Sequence, residues 1–179
     1  MPKTNRDPLF PYMPGFAPTW EGNFPALNNT ERHLMIGYLN TTPDSADEIW
    51  YNVAMDGLPD DDVANQVAQI TENPNMVRAW WRLNAKRCDA IVRQANAYRV
   101  IELRARAGPQ TLGELILYDK MSRSEWPHLE WAPLMLICYQ IDPIIKRHLA
   151  TAGFELLMLP LPAAGPHPPT DHFDRPDTV

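Results

Sequence analysis

The longest uninterrupted pattern of apolar and polar positions runs from Pro74 to Ala107, between two proline-containing breaks in the chain. Mostly apolar side chains recur there in steps of four and three, which keeps them on one side of an α-helix: Val77, Trp81, Asn84, Cys88, Ile91, Ala95 and Tyr98. Basic side chains occupy the opposite side: Arg78, Arg82, Lys86, Arg93 and Arg104. The pattern predicts one helix over about 74–107, roughly 50 Å long at 1.5 Å per residue.

Shorter helices are expected before this run, because proline suits the first helical position. One is predicted to begin at Pro43, to bury Ile49, Trp50 and Val53, and to end at Gly57. A second is predicted from Pro59 to Asn73, and a third from 28 to 39.

Helical spacing also continues after the long run. A helix is preferred over a strand for 112–118, and another is predicted after Pro133. A further helix is predicted to begin at Asp142-Pro143 and to end at Gly153, followed by an extended stretch over 154–161. Together these patterns predict a mainly α fold, a compact helical bundle of about 5–7 helices built around the long central helix.

Both ends of the chain are rich in proline, which excludes regular helix and central strand. The predicted organisation is therefore an extended arm over 1–27, a helical domain over 28–159 and a proline-rich tail over 160–179. Large aromatic side chains between prolines suit an extended strap laid on a partner. The residues predicted to make such partner contacts are Phe10, Tyr12, Phe16, Trp20 and Phe24.

Composition indicates one folded domain: 179 residues, of which 45% are hydrophobic and 21% charged. No apolar run approaches the roughly 18–20 residues that cross a bilayer, and no apolar segment follows the first charged residues. The sequence therefore predicts neither a membrane-spanning nor a secreted protein. Cys88 and Cys138 are expected to be reduced core thiols in an intracellular compartment.

Charge is concentrated unevenly, since residues 74–107 are basic within a chain of net charge −6. Regularly spaced Arg and Lys could follow the phosphates of a nucleic acid. The acidic segments immediately upstream and the pI of about 5.3 favour pairing of this basic stripe within the protein.

Common catalytic signatures are absent, including nucleophile elbows and glycine-rich phosphate loops. Cys88 lies on the apolar side of the long run, which favours a structural thiol. Three consecutive carboxylates at 60–62 are expected to begin a helix rather than to bind a metal. The tail holds one group of zinc-type ligands without a supporting shell: His167, Asp171, His172 and Asp174. The sequence thus predicts no catalytic residue, metal site or cofactor.

The leading hypothesis is a structural or assembly protein, with a virion or phage particle component as the favoured instance. Its arms would contact copies of itself or other subunits of a large assembly, in the virion or the host cytoplasm. Two alternatives remain. One is a nucleic-acid-associated protein using the basic stripe, and the other is an enzyme with an unrecognised acidic site, which would show carboxylates with perturbed pKa values.

Overall fold

The computed structural model describes residue 24 and residues 27–42, 46–55 and 85–162. Within those residues the chain forms three helices and a six-stranded mixed sheet. In chain order the elements are α1 (Asn29–Thr41), β1 (Glu48–Ala54), β2 (Arg87–Gln94), β3 (Ala97–Ala107), α2 (Pro109–Glu125), β4 (Glu130–Trp131), β5 (Met135–Ile141), α3 (Pro143–Thr151) and β6 (Glu155–Met158).

The sheet has the strand order β1-β2-β3-β5-β6, and the short β4 pairs with the start of β3. Strand β2 is antiparallel to both β1 and β3, whereas β4 and β5 are parallel to β3, and β6 is parallel to β5. Helix α2 lies in the connection from β3 to β5, and α3 connects β5 to β6, because parallel neighbouring strands require such crossover connections. The sheet therefore combines an antiparallel meander of β1, β2 and β3 with two βαβ units formed by β3, β5 and β6.

Two apolar cores lie on opposite faces of this sheet. One lies beneath α2 and α3, where Leu115 and Leu149 are fully buried against Trp50 and Leu136. The other lies beneath α1, through Leu34 and Met35 among other side chains. The molecule thus has three layers, with helices covering both faces of the sheet.

The predicted long helix is wrong over the described part of its range. Residues 87–94 and 97–107 form an antiparallel hairpin, with Ile91 opposite Val100 and a turn at Ala95-Asn96. Its buried positions include the β-branched Ile91, Val92, Val100 and Ile101, which pack well on a pleated sheet between two cores. Cys88 and Tyr98 do share one core as expected, but they reach it from neighbouring strands.

Two further helix predictions are also wrong. The segment expected to be helical after Pro43 contains β1, and the one expected after Pro133 contains β5. Helical spacing and strand spacing overlap in such short apolar runs, so the tertiary partners decide between them. The mainly α bundle is therefore replaced by a mixed fold with similar amounts of helix and strand. The helix predicted over 59–73 lies outside the described residues.

The capped helices were predicted correctly. Asn28 and Glu31 form a reciprocal capping box at the start of α1, with both hydrogen bonds 2.9 Å long. The Asp142 carboxylate accepts a hydrogen bond from the Ile144 N–H at the start of α3. Gly153 follows α3 with a φ of +77°, a conformation that favours glycine.

None of the helices in the described part of the chain is both long and apolar enough to cross a membrane.

Candidate functional site

The backbone pairing of β2 with β3 stops before the end of the hairpin that lies away from its turn. The paired register ends at Ala90 opposite Ile101. At the position just before Ala90, the Asp89 carboxylate accepts a hydrogen bond of 2.7 Å from the backbone N–H of Leu103. A side chain of β2 thus replaces its backbone as the partner of β3, and the backbone pairing of the two strands ends there.

Glu102 lies on β3 directly beside this opening. It is only 1% exposed, and neither carboxylate oxygen accepts a hydrogen bond from any described residue. Among the described residues it forms one ion pair, with Arg104, whose Nη2 lies against Oε1 without hydrogen-bond geometry. Glu102 and Arg104 are two positions apart on one strand, so both side chains leave the same face of the sheet.

Arg104 connects three carboxylates from three elements. Besides Glu102 on β3, it contacts Glu114 on α2 at 2.9 Å and Asp89 on β2 at 3.7 Å. We call Asp89, Glu102, Arg104 and Glu114 the acidic cluster. Side-chain exposure is 17% for Asp89, 25% for Glu114 and 30% for Arg104, so the cluster extends from the buried Glu102 to the surface.

The electrostatics of the cluster are dominated by burial and by mutual repulsion. Burial raises the pKa of Asp89 to about 7, with Glu31 and Glu114 adding to the rise and Arg104 opposing it. Burial and the Asp89 charge raise the pKa of Glu102 well above its usual range. One guanidinium therefore does not neutralise the carboxylates around it.

A structural ion-pair network is the simplest alternative explanation. Such networks persist when each buried charge is paired and its remaining hydrogen-bonding capacity is filled. The acidic cluster has three carboxylates for one cation, and the most buried carboxylate has no hydrogen bond within the described residues. Its charges are therefore not balanced within the described residues, unlike those of a purely structural network.

The oxygen atoms of the carboxylates determine which metal ions the cluster is chemically suited to bind. The cluster offers carboxylate oxygens, which are the ligands of hard divalent cations such as Mg²⁺, Mn²⁺ and Ca²⁺. Among residues 24, 27–42, 46–55 and 85–162, no three His, Cys, Asp or Glu side chains are arranged to hold a metal ion together. The guanidinium of Arg104 lies between the carboxylates instead.

The three described residues of the predicted basic stripe do not form one surface. Arg93 pairs with Glu48 of β1 at 3.1 Å, near the turn of the hairpin, whereas Arg104 belongs to the acidic cluster at its open end. Lys86 is exposed just before β2. Arg78 and Arg82 lie outside the described residues. Because the segment is a hairpin, helical spacing no longer brings these side chains together.

The predicted partner-contact residues are mostly outside the described part. Phe24 is the exception, and its ring is buried against Tyr51 in an edge-to-face contact with 5.2 Å between ring centroids. It packs in the core beneath α1. The others, Phe10, Tyr12, Phe16 and Trp20, lie outside the described residues, and their partner contacts stay a prediction.

The two cysteines are free and buried, as expected for core thiols. Burial, and then the charges of Glu102 and Asp89, raise the pKa of Cys88. Burial raises the pKa of Cys138 to about 11. Both side chains therefore stay protonated near neutral pH. The carboxylates at 60–62 and the tail group of His167, Asp171, His172 and Asp174 lie outside the described residues.

Sequence reasoning missed the carboxylates of the cluster. Asp89 and Glu102 each stand alone inside an apolar run of strand-forming residues, where an unpaired charge is costly to bury. That isolated acidic residue within a buried strand is the signal that could have identified them. Glu114 gives no such signal, because acidic residues are common on exposed helix faces.

Comparisons with known proteins give no relative for this chain. No protein-family model, curated protein or solved structure matches it.

Proposed function

We propose that this chain is a divalent-cation-dependent hydrolase that cleaves phosphodiester bonds in nucleic acid, with the acidic cluster as its active site. Asp89 and Glu102 would hold the cation, Arg104 would bind the substrate phosphate, and Glu114 would accept a proton from the attacking water. This is the acidic-site enzyme that the sequence left as an alternative.

The observation that carries the proposal is the state of Glu102. A buried carboxylate without hydrogen bonds costs several kcal/mol relative to water, and one shared guanidinium does not offset three carboxylates. A divalent cation at Asp89 and Glu102 would neutralise both groups at once. The open end of the hairpin, rather than a continuous ladder, supports such an arrangement.

Charge balance favours a phosphodiester as substrate. Three ionised carboxylates, one arginine and one divalent cation sum to zero, so each negative charge of a bound substrate stays uncompensated, two for a phosphomonoester and one for a phosphodiester. A phosphodiester carries a single negative charge, which one guanidinium can bind through paired hydrogen bonds. The cluster also reaches the surface through Glu114 and Arg104, which suits a large substrate.

The reaction follows from the ordinary chemistry of such ions. A bound cation lowers the pKa of a water molecule and polarises the phosphoryl group. The water oxygen attacks phosphorus as Glu114 takes its proton, the ester P–O bond breaks, and the leaving oxygen gains a proton from solvent. The products are a phosphomonoester and a hydroxyl end. Arg104 moves from the carboxylates to the phosphate during this cycle.

The assembly hypothesis remains a prediction. Its support lies in the aromatic residues of the arm, four of which are outside the described residues, and no contact described here favours it. The hypothesis of a basic stripe is weakened by the hairpin, yet it shares a nucleic-acid partner with the present proposal.

The test combines cation binding with cleavage. The full chain is titrated with Mg²⁺, Mn²⁺ and Ca²⁺ by calorimetry, and is then incubated with single- and double-stranded DNA and RNA with and without EDTA. We expect cation binding and EDTA-sensitive cleavage, both lost in Glu102→Gln and retained in Glu155→Gln, a carboxylate of another ion pair on the same sheet. A wild-type chain that binds no divalent cation, or a Glu102→Gln chain that cleaves normally, would overturn the proposal.

A further inference from the structure

Strand β6 forms an edge of the sheet within the described part of the chain, where it pairs with β5 and with no other strand. The N–H groups of Glu155 and Leu159 donate to carbonyl groups on the β5 side. Backbone groups alternate in direction along a strand, so the N–H and C=O groups of Leu156 and Met158 point away from β5. This edge therefore presents two donors and two acceptors to a further strand.

The residues on either side limit the length of that edge. The N–H of Phe154 already donates to the carbonyl oxygen of Leu149. Pro160 has no N–H to donate. A strand that adds to β6 must therefore form its hydrogen bonds with Leu156 and Met158, and it needs donors and acceptors that are also two residues apart.

The side chains along this edge are apolar on both faces of the sheet. Leu156 packs against the core beneath α2 and α3, and Leu157 packs against the core beneath α1. Met158 leaves the same face as Leu156 and is exposed. Exposed apolar side chains also follow β6 at Leu161 and begin α3, the helix that packs on β6, at Ile144.

No charge blocks the edge. Natural edge strands commonly carry charged side chains, especially lysine, that prevent pairing with another chain. The one charged residue of β6 is Glu155, and its carboxylate is engaged by Arg99 of β3. The strand thus lacks the usual protection against the addition of a further strand.

We propose that β6 is an interface between two copies of this chain, whose β6 strands pair antiparallel about a twofold axis and join the two sheets into one. An axis perpendicular to the sheet makes the same surface of both copies meet. Leu156 of each copy then stands opposite Met158 of the second copy, in two pairs that each exchange two hydrogen bonds. Every outward N–H and C=O group of Leu156 and Met158 gains a partner.

The register follows from the contacts of β6. A shift by one residue would place opposite faces of the two strands together, which the cores on both faces exclude. A shift by two would place Leu156 opposite itself and require the N–H of Phe154, which Leu149 already binds. In the proposed register Leu157 stands opposite itself at the axis, so apolar side chains meet on both faces.

This self-complementarity favours a second copy as the occupant of the edge. Another copy supplies the same two-residue spacing of donors and acceptors and the same apolar faces. The acidic cluster lies on β2, β3 and α2, and β5 separates that part of the sheet from β6. The inference is therefore independent of the proposed function.

The first experiment measures the mass of the full chain in solution by light scattering over a range of concentrations. Met158→Lys places a charge within the paired strands. Ile116→Lys is the matched control, since Ile116 on α2 is 41% exposed and Met158 is 45% exposed. We expect two copies for the wild type and for Ile116→Lys, and a dissociation constant raised by roughly tenfold or more in Met158→Lys.

The second experiment tests the register by oxidation of single cysteine variants. In Leu157→Cys the two new thiols lie at a non-hydrogen-bonded pair, where Cα atoms are about 4.5 Å apart and a disulfide can form. In Leu156→Cys the new thiols are offset by two positions across the axis, with Cα atoms more than about 7 Å apart. Cys88 and Cys138 are free and buried, so the wild type serves as the background. We expect a disulfide-linked dimer from Leu157→Cys alone.

Circular dichroism and thermal melting establish that each variant is folded, and the cysteine variants test the interface without an added charge if Met158→Lys does not fold. A wild type that remains one copy at every concentration overturns the proposal, and the edge is then covered by another segment of the chain or left free. A dimer that Ile116→Lys disrupts and Met158→Lys preserves places the interface on α2, which also overturns it. A cross-link through Leu156→Cys instead of Leu157→Cys contradicts the register.

Discussion

Two arginines on β3 form ion pairs of opposite character. Arg99 contacts one carboxylate, Glu155 of β6, through both Nη atoms, and the two side chains are 21% and 43% exposed. Arg104 contacts three carboxylates, one of which is only 1% exposed. The same strand therefore carries a balanced surface pair and an unbalanced buried cluster.

This difference in ion pairing suggests different roles for the two arginines. An exposed one-to-one pair contributes about 0–1 kcal/mol to stability and requires nothing else. An excess of buried carboxylates destabilises the folded chain, and proteins commonly retain such features where function requires them. The contrast predicts that equivalent substitutions at the two sites will have different and sometimes opposite effects.

Removing the arginine should give the largest effect. In Arg104→Met the remaining carboxylates lose their only cation in the cluster, and we expect the free energy of unfolding at pH 8 to fall by about 3–5 kcal/mol. Arg99→Met, the matched change, should cost less than about 1 kcal/mol. Urea unfolding measures both. Mn²⁺ should restore part of the loss in Arg104→Met only, and equal losses in the two variants would contradict the contrast.

Removing one carboxylate should separate activity from stability. We expect Glu102→Gln to lower cation-dependent cleavage by about 100-fold or more. The same change removes a buried charge that accepts no hydrogen bond from a described residue, so the metal-free chain should become more stable at pH 8 by about 1 kcal/mol. Glu155→Gln should leave cleavage unchanged. Cleavage assays and urea unfolding test these outcomes, and a destabilised Glu102→Gln would indicate that its carboxylate is structural.

Stability should depend on pH through the cluster. The folded chain binds protons at Asp89 and Glu102 more tightly than the unfolded chain does, because burial raises both pKa values. The free energy of unfolding of the metal-free protein should therefore fall as pH rises from about 4, where unfolded carboxyl groups titrate, to about 7 and above.

The measurement for this pH effect is the difference between wild type and Glu102→Gln in urea unfolding across pH 4–9. We expect the wild type to lose on the order of 1–2 kcal/mol relative to the variant. Glu155→Gln serves as the control and should follow the wild type. A difference that is constant with pH would show that the cluster does not titrate in this range.

The smallest predicted effect lies at the closed end of the hairpin. Ala95 has a φ of +52° in the turn, a conformation that costs a residue with a Cβ about 1–2 kcal/mol. Its N–H donates to Asp47, a hydrogen bond that glycine would keep. After the entropy cost of glycine, Ala95→Gly should stabilise the chain by about 0.5 kcal/mol with cleavage unchanged. Thermal melting measures this, and destabilisation would show that the turn differs from the one described.

The cluster shows why a site of this kind is hard to predict. Its members are separated by 13 residues between Asp89 and Glu102 and by a further 12 to Glu114, and they belong to two strands and a helix. No fixed spacing connects them, because the hairpin and the α2 crossover bring them together. The sequence showed only that these carboxylates stand between apolar residues, and a helix over 74–107 gave no reason to bring them together.

By itself the sequence determined the features that depend on a few neighbouring residues. Asn28 and Asp142 fix the starts of α1 and α3 because their side chains bind nearby backbone N–H groups. Only the tertiary structure decided the conformation of 87–107. Its apolar residues fit helical and strand spacing alike, and no glycine or proline marks the turn. Pairing with β1 and β5 and burial on two faces favoured the strands, and that choice created the acidic cluster.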